Sequence, residues 1–334
     1  MAGTKTAATA PATTRRCRMM IWHNGAFKAA ETPVFTAQDR VRLGDGVFDT
    51  MLCLLHADSA GSGHDTDANF KLCFGAAHFE RLQRHAAVLG MDVPFFADYE
   101  SFVQVALELL DRNRKALVEG NHTALQRFAL NTILSRGDAP RGLMPPDQPS
   151  YTLVLRVSPV PDSLPDRFPD VHAGIARNVT RNEGSPLSRI KSFGYGESIL
   201  ALREVCGQNQ SQNPSQNDSD TYNEALLLNN RARICCASAS NIFVLSDDLQ
   251  NLYTPPLIDG VLDGVLRAAL LHHFPERVIE KSLSEQDISA VQGIFLGNSI
   301  RGLYPIKSLS GRRLDIDYDA ALQSLGIDKF FHLD

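Results

Sequence analysis

"SPLSRIKSFGYGESILAL" spans residues 185–202 and has Lys191 near its middle. The lysine follows an apolar residue, Ile190, and stands just before a stretch, 194–205, that reads as a helix. A lysine partly buried at a helix entrance sheds its charge readily. The neutral amine is then a nucleophile toward carbonyls, which is what a Schiff base requires. Taken alone, the segment favours an ordinary surface lysine at a helix entrance, so its neighbours have to decide.

On the C-terminal side, "GQNQSQNPSQNDSD" (207–220) is polar and of low complexity, and reads as a disordered insertion between a helix and a strand. Apolar runs at "EALLLNN", "RICCA" and "NIFVLS" predict strands, as does "HAGIARNV" upstream of the lysine, with further helices at 263–274 and 285–292. These elements make a C-terminal unit over 171–334. The Pro-rich "VSPVPDSLPDRFPD" (157–170) reads as a linker.

Before the linker, residues 19–156 predict a smaller α/β unit. "MMIWHNGAF" is a strand closed by an Asn24-Gly25 hairpin turn, and "VFDTMLCLL" (47–55) is a second strand. The Gly/Ser/Asp-rich loop "HADSAGSGHDTDAN" follows, and "KLCFG" resumes the sheet. "HFERLQRHAAVLG" (78–90) sets Phe79, Leu82, Ala86 and Leu89 on one helical stripe with Gly90 as a stop. "SFVQVALELLDR" (101–112) is a second amphipathic helix, and "RFALNTIL" and "YTLVLRV" return to strand. Residues 1–18 are rich in Ala and Thr, carry Lys5, Arg15, Arg16 and Arg18, and contain no acid. They read as a disordered tail, with an organelle transit peptide as the alternative; no secretory apolar region follows.

Composition closes off several functions. Hydrophobic residues at 43% and charged residues at 21% of 334 are those of a globular chain. A net charge of −5 supplies no phosphate-neutralising face for nucleic acid. No stretch approaches the roughly 18 apolar residues of a membrane span, so a soluble protein with no membrane partner is expected. The six cysteines, Cys17, Cys53, Cys73, Cys206, Cys235 and Cys236, lack both disulfide-framework and zinc-clip spacing and read as reduced cytoplasmic thiols. There is no GxGxxG after a strand, no GxxxxGK[ST] and no GxSxG. His272-His273, in an apolar helix, reads as structural, and no metal site is expected.

The order of segments settles the matter of Lys191. "DRVRLGDGVFDTM", "HFERL", "RNEGSPLSRIKSFGYGESILA", "NEALLLN", "ASASNIFVL", "TPPLIDGVLDGVLR" and "IFLGNSIRGLYPI" together resemble the class IV (fold type IV) aminotransferases over about residues 19–315. That family includes branched-chain aminotransferases, D-amino-acid transaminases and aminodeoxychorismate lyase. The resemblance implies pyridoxal 5′-phosphate as cofactor, and a fold of mixed α/β (α+β) class with a small N-terminal α/β domain. A larger C-terminal domain would hold a barrel-like β core, with the cofactor between the two and a homodimer as the assembly.

By the same resemblance, Lys191 stands at the Schiff-base lysine and would shuttle the proton at the substrate Cα. Tyr195 matches the tyrosine on the cofactor's phenolic oxygen, though a core tyrosine is its plain reading. Arg81 matches the phosphate-binding arginine; its guanidinium fork suits a phosphate, while a helix arginine by itself usually faces solvent. Val265 and Leu266 open a helix whose backbone N–H groups would receive the phosphate, and Leu266 replaces a frequent threonine. Ser299 matches a phosphate-side hydroxyl, and Leu262 the side chain packed on the pyridine ring or, plainly, a core leucine. The family's glutamate at the pyridine nitrogen falls on Cys236, five residues before Asn241. A thiol supports a pyridinium more weakly than a carboxylate, which predicts altered electronics unless a nearby acid or the thiolate substitutes.

"DRVRLGDG" is one residue short of the family spacing and has Leu43 where many members have tyrosine. In "LSRGDAPRGLMPP", Arg141 would clamp a substrate carboxylate or stand as a solvated loop arginine, and Leu143 occupies a histidine position. The Arg-Gly rhythm of that loop is nearer the lyases. Expected function is therefore transamination from a branched-chain or related aliphatic amino acid to a 2-oxo acid. Aminodeoxychorismate lyase, giving 4-aminobenzoate and pyruvate, is the alternative, and a non-catalytic cofactor-binding paralogue the third.

Overall fold

The structure, a computed structural model, describes residues 19–56, 70–118, 125–160, 170–212, 221–328 and 330. The N-terminal tail, the body of the Gly/Ser/Asp-rich loop and linker residues 161–169 lie outside the described residues.

β1 (Met20–His23) and β2 (Ala26–Ala29) form the expected hairpin, pairing His23 with Ala26. Asn24 and Gly25 both take positive φ, 46° and 90°, the geometry a two-residue turn needs to match strand twist. β3 (Gly46–His56), β4 (Phe70–Leu72), β5 (Leu125–Asp138) and β6 (Ser150–Pro159) complete a six-stranded sheet in the order β2-β1-β6-β5-β3-β4. Every neighbouring pair in it is antiparallel. α1 (Gly75–Val88) and α2 (Tyr99–Val118) carry Phe79, Leu82, Ala86, Phe102, Ala106 and Leu109 into one core with Val47, Met51 and Leu130 of the sheet. α2 begins two residues earlier and ends six later than the apolar stripe suggests. Asp98 accepts from the Ser101 N–H at its start, and Leu117 still buries near its end.

β7 (His172–Arg181) leads to the lysine segment and α3 (Gly196–Gln212). α3 runs six residues into the polar stretch 207–220, so that residues 207–212 are helix; 213–220 lie outside the described residues. β8 (Glu224–Asn229), β9 (Arg233–Ala237), β10 (Asn241–Leu245) and β11 (Leu252–Thr254) follow. Then come α4 (Val265–His273), β12 (Val278–Glu280), β13 (Leu283–Ser284) and α5 (Glu285–Ser289), the last started by a Ser284/Asp287 capping box. β14 (Ile294–Asn298), β15 (Gly302–Pro305), β16 (Ser308–Leu309), β17 (Arg312–Arg313) and α6 (Tyr318–Leu325) close the described chain.

These strands build two sheets, β12-β11-β10-β14-β15 and β13-β9-β8-β7-β16-β17. One apolar core joins them: Ala173, Ile175, Leu226 and Ile234 from the second sheet meet Ile242, Val244, Ile294 and Leu296 from the first. This is the barrel-like β core that the resemblance implies. His272 and His273 are exposed at the end of α4, and among the described residues no group of three ligands could hold a metal.

Candidate active site

Lys191 is fixed from three sides. Ser185 caps the short helical turn Pro186–Arg189, Ile190 buries in extended conformation, and Ser192 bridges to Val47, so the segment is stitched onto β3. The Lys191 N–H donates to His85 Nδ1 at 3.1 Å, and its carbonyl accepts from the Phe48 N–H at 2.9 Å. Its Nζ lies 2.9 Å from Tyr195 Oη and 4.2 Å from the centre of the Phe48 ring.

Two adjoining lobes receive these groups and share Ala239, Ser240 and Leu262. The smaller, about 230 Å³, is lined by Arg81, Lys191, Val265, Leu266 and Ser299, with Thr50 and Asn298 beside them. The larger, about 400 Å³, is lined by Tyr195 and Cys236 together with Arg181 and Glu197. The structure thus brings Lys191, Tyr195, Arg81, Cys236, Leu262, Val265, Leu266 and Ser299 to one two-lobed cavity. Arg141 and Leu43 line neither lobe. Arg141 is exposed, on a loop whose carbonyls at Gly142 and Leu143 accept from Arg40, and Arg40 and Arg136 share Asp45.

Arg81 does not face bulk solvent; it is 3% exposed. Its Nε and Nη2 donate to the two carboxylate oxygens of Asp49 at 2.8 and 2.9 Å, and Nη1 donates to the Asp263 carbonyl. His78 Nδ1 is 2.6 Å from the same carboxylate. Burial works to raise the Asp49 carboxyl, but Arg81 and His78 outweigh it and hold it well below the usual carboxylate range. Burial also pushes His78 down, against the pull of Asp49.

α4 starts at the smaller lobe with Gly264 as its N-cap and no side-chain cap, so the helix-end N–H groups and positive dipole end lie at the cavity wall. Glycine is required by space: a Cβ at 264 would sit 2.0 Å from Asn241 Oδ1. Asn298 anchors the opposite wall. Its Oδ1 accepts from the N–H groups of Ile300 and Arg301, and its Nδ2 donates to Ser240 Oγ.

Cys236 sits at a break in the ladder. Leu227 pairs with Cys236 and Leu228 with Ile234, which leaves Cys235 as the extra residue of a β-bulge. Both cysteines consequently pack into the same cluster with Ala201, Val205 and Val261, while Ile234 and Ala237 face the other core. With Cys235 and the Arg181 guanidinium nearby, Cys236 is lowered, while its neighbour and burial raise Cys235, whose Sγ–H donates to the Leu227 carbonyl at 3.0 Å.

Asp49, His85, Asn298 and Ser240 line or support the cavity and were not singled out by sequence reasoning. Asp49 and His85 lie inside quoted motifs, on the strand and helix that carry the cavity wall.

A cleft with an uncapped helix end and a buried guanidinium at one lobe, and a lysine–phenol pair at the junction, suits a phosphorylated, carbonyl-bearing group. The family described as amino-transferase class IV matches residues 46–309, and the chain belongs to it. The family's cofactor is pyridoxal 5′-phosphate. The chain is 22% identical over 245 residues to a probable branched-chain-amino-acid aminotransferase of Rickettsia felis, covering 72% of this chain and 74% of that one. It is 24% identical over 300 residues to aminodeoxychorismate lyase of Bacillus subtilis, covering 87% and 86%. Its fold is similar to the branched-chain aminotransferase of Thermoproteus uzoniensis at a TM-score of 0.72 and 21% identity, covering 94% and 97%.

The residues present fit the cofactor. Its phosphate matches the uncapped N–H groups of Val265 and Leu266, the Ser299 hydroxyl and Arg81; its aldehyde matches Lys191; its ring oxygen matches Tyr195. Cys236, which the resemblance sets at the position of the family's glutamate, lines the larger lobe.

Proposed function

We propose that this protein is an aminotransferase that moves the amino group of a branched-chain or related aliphatic amino acid to a 2-oxo acid, acting as a cytoplasmic homodimer. The observation that carries the reading is the 2.9 Å contact of Lys191 Nζ with Tyr195 Oη at the junction of the two lobes. When bound, the cofactor supplies the electron sink for the carbanion at the substrate Cα. Lys191 holds and moves the proton at that carbon, and Tyr195 orients the amine. The Phe48 ring covers the amine on one side and limits water.

The homodimer reading draws support from apolar side chains left bare: Leu143 and Met144 on the 140–144 loop are 82% and 86% exposed, and Leu43, on the short helical turn whose Arg40 donates to that loop's carbonyls, is 39% exposed. A second copy there would bring Arg141 and Leu43 toward a cavity. Cytoplasmic residence fits the free thiols of Cys53, Cys206, Cys235 and Cys236. The lyase reading stays open because of the match to the B. subtilis enzyme across most of both chains.

The test is a visible spectrum of the purified protein before and after borohydride, with the labelled peptide found by mass, then turnover with and without a 2-oxo acid. A borohydride-sensitive yellow band on Lys191 with 2-oxo-acid-dependent turnover is expected. Pyruvate release without any acceptor would assign the lyase instead. A protein that stays colourless with added cofactor would sink both and favour a non-catalytic paralogue. Lys191→Ala should abolish turnover; unchanged activity would remove this lysine from either mechanism.

A further inference from the structure

We infer that His85 is a positioning residue for Lys191: as a neutral imidazole with its proton on Nε2, it accepts the Lys191 backbone N–H and fixes where that side chain leaves the chain. The bond is 3.1 Å long and joins residues far apart in sequence, from the helix that carries Arg81 to the segment before α3. An accepting Nδ1 requires the proton to sit on Nε2.

What the imidazole supplies at this place is narrow. His85 is 4% exposed, and its Nε2 is buried without a hydrogen-bond partner among the described residues. An apolar side chain of similar volume would fill the space without leaving a donor unsatisfied. The Nδ1 acceptor for Lys191 is the one polar service the ring performs. Ser192 on the far side bridges to Val47, and the Lys191 carbonyl is held by Phe48, so His85 completes the restraint of the peptide on both sides of the lysine.

The placement also couples two parts of the cavity. Arg81 and His85 are one turn apart on α1, so they share a helix face. Arg81 lines the smaller lobe, and His85 holds the backbone of the lysine that lines the same lobe. A rigid helix therefore sets the distance between the phosphate-directed guanidinium and the amine-bearing residue. A site tuned in this way is sensitive to small displacements of the reacting amine. Burial, with Arg81 next, pushes His85 down to about 4, which keeps the acceptor available at neutral pH.

The experiment compares His85→Leu and His85→Asn. Asn places a carbonyl oxygen close to where Nδ1 stands, whereas Leu keeps volume and removes the acceptor. The first readout is hydrogen exchange of the Lys191 amide, followed by fragmentation of peptides that span it, in protein without added cofactor. The second is the kcat-against-KM split in the loaded enzyme. His85→Leu is expected to speed exchange at Lys191 by several-fold to roughly tenfold and to lower kcat with KM little changed, while His85→Asn restores both. Unchanged exchange at Lys191 in His85→Leu, or equal loss in both variants, would overturn the assignment. The catalytic half of the inference rests on Lys191 acting as proposed above, whereas the exchange result does not. A wild-type protein with no borohydride-sensitive band would therefore defeat that function and leave the exchange test intact.

Discussion

Asp49 serves two buried partners with one carboxylate, Arg81 at 2.8 and 2.9 Å and His78 at 2.6 Å. Removing the charge strands a guanidinium that is 3% exposed, and breaking a buried pair in that manner costs about 3–5 kcal/mol. Asp49→Asn should therefore lower the denaturation midpoint markedly in urea and weaken retention of added pyridoxal 5′-phosphate on dialysis. Wild-type stability together with wild-type cofactor retention would show that Arg81 needs no carboxylate to stay aimed at the lobe. Lys191, Tyr195 and Arg81 could be singled out only through the resemblance that seven segments carry in order; taken singly they read as a surface lysine, a core tyrosine and a solvent-facing arginine. Asp49, His85 and Asn298 were not singled out, since their work is to hold other residues, and a supporting hydrogen bond between distant segments leaves no local pattern. Arg81 shows the limit from the other side: helix periodicity by itself points an arginine to solvent, and only the partner strand β3 explains its burial.

Elements are placed by the same logic of backbone need. α4 begins where Gly264 lets the chain pass Asn241, whose Nδ2 donates to the Leu262 carbonyl at 3.1 Å. Gly264→Ala would force a Cβ to 2.0 Å from Asn241 Oδ1, displacing the helix end or the amide. Overpacking of this kind costs about 1–3 kcal/mol, and here it falls on the N–H groups directed at the smaller lobe. The expected result is a modest fall in stability with a larger fall in affinity for pyridoxal 5′-phosphate, read by titrating the absorbance of the bound form. Equal affinity in Gly264→Ala and wild type would mean that the start of α4 does not bind the phosphate. Most strands and helices could be read from apolar periodicity, including the Asn24-Gly25 hairpin. The bulge at Cys235 could not: alternation predicts that adjacent strand residues face opposite sides, whereas the unpaired residue puts both thiols on one. α3 likewise outlasts its apolar pattern, because low sequence complexity reports composition and polar residues are as acceptable in a helix as in a loop.

Across the whole molecule, the buried histidines set the direction of the response to acid. His85 is held at about 4 in the folded chain against roughly 6.5 unfolded, chiefly by burial, and His78 is shifted the same way. The charges around His85 come from three places: Arg81 and Arg84 on its own helix, Asp49 on β3, and Asp263 before α4. Between those two values the unfolded chain binds more protons than the folded one, so unfolding free energy rises with pH there and falls as the solution is acidified. Asp49 adds nothing in this window; its lowered carboxyl gives up stability only below the ordinary carboxylate range. From pH 7 to 4.5 the His85 share of the loss is roughly 2–3 kcal/mol. Urea unfolding at the two values should show that loss in wild type and a clearly smaller one in His85→Asn, which has no proton to take up. If both proteins lost the same amount, the acid sensitivity would have to be assigned to His78 or to the surface carboxylates, and His85 would have no part in it. Because the folded imidazole stays neutral until about pH 4, the Lys191 N–H keeps its acceptor while stability falls between pH 7 and 4.5, and is released only as the solution nears pH 4. In wild type, loss of turnover through release of Lys191 should then trail the loss of stability and set in near pH 4, and that step should be missing in His85→Asn, which has no proton to take up.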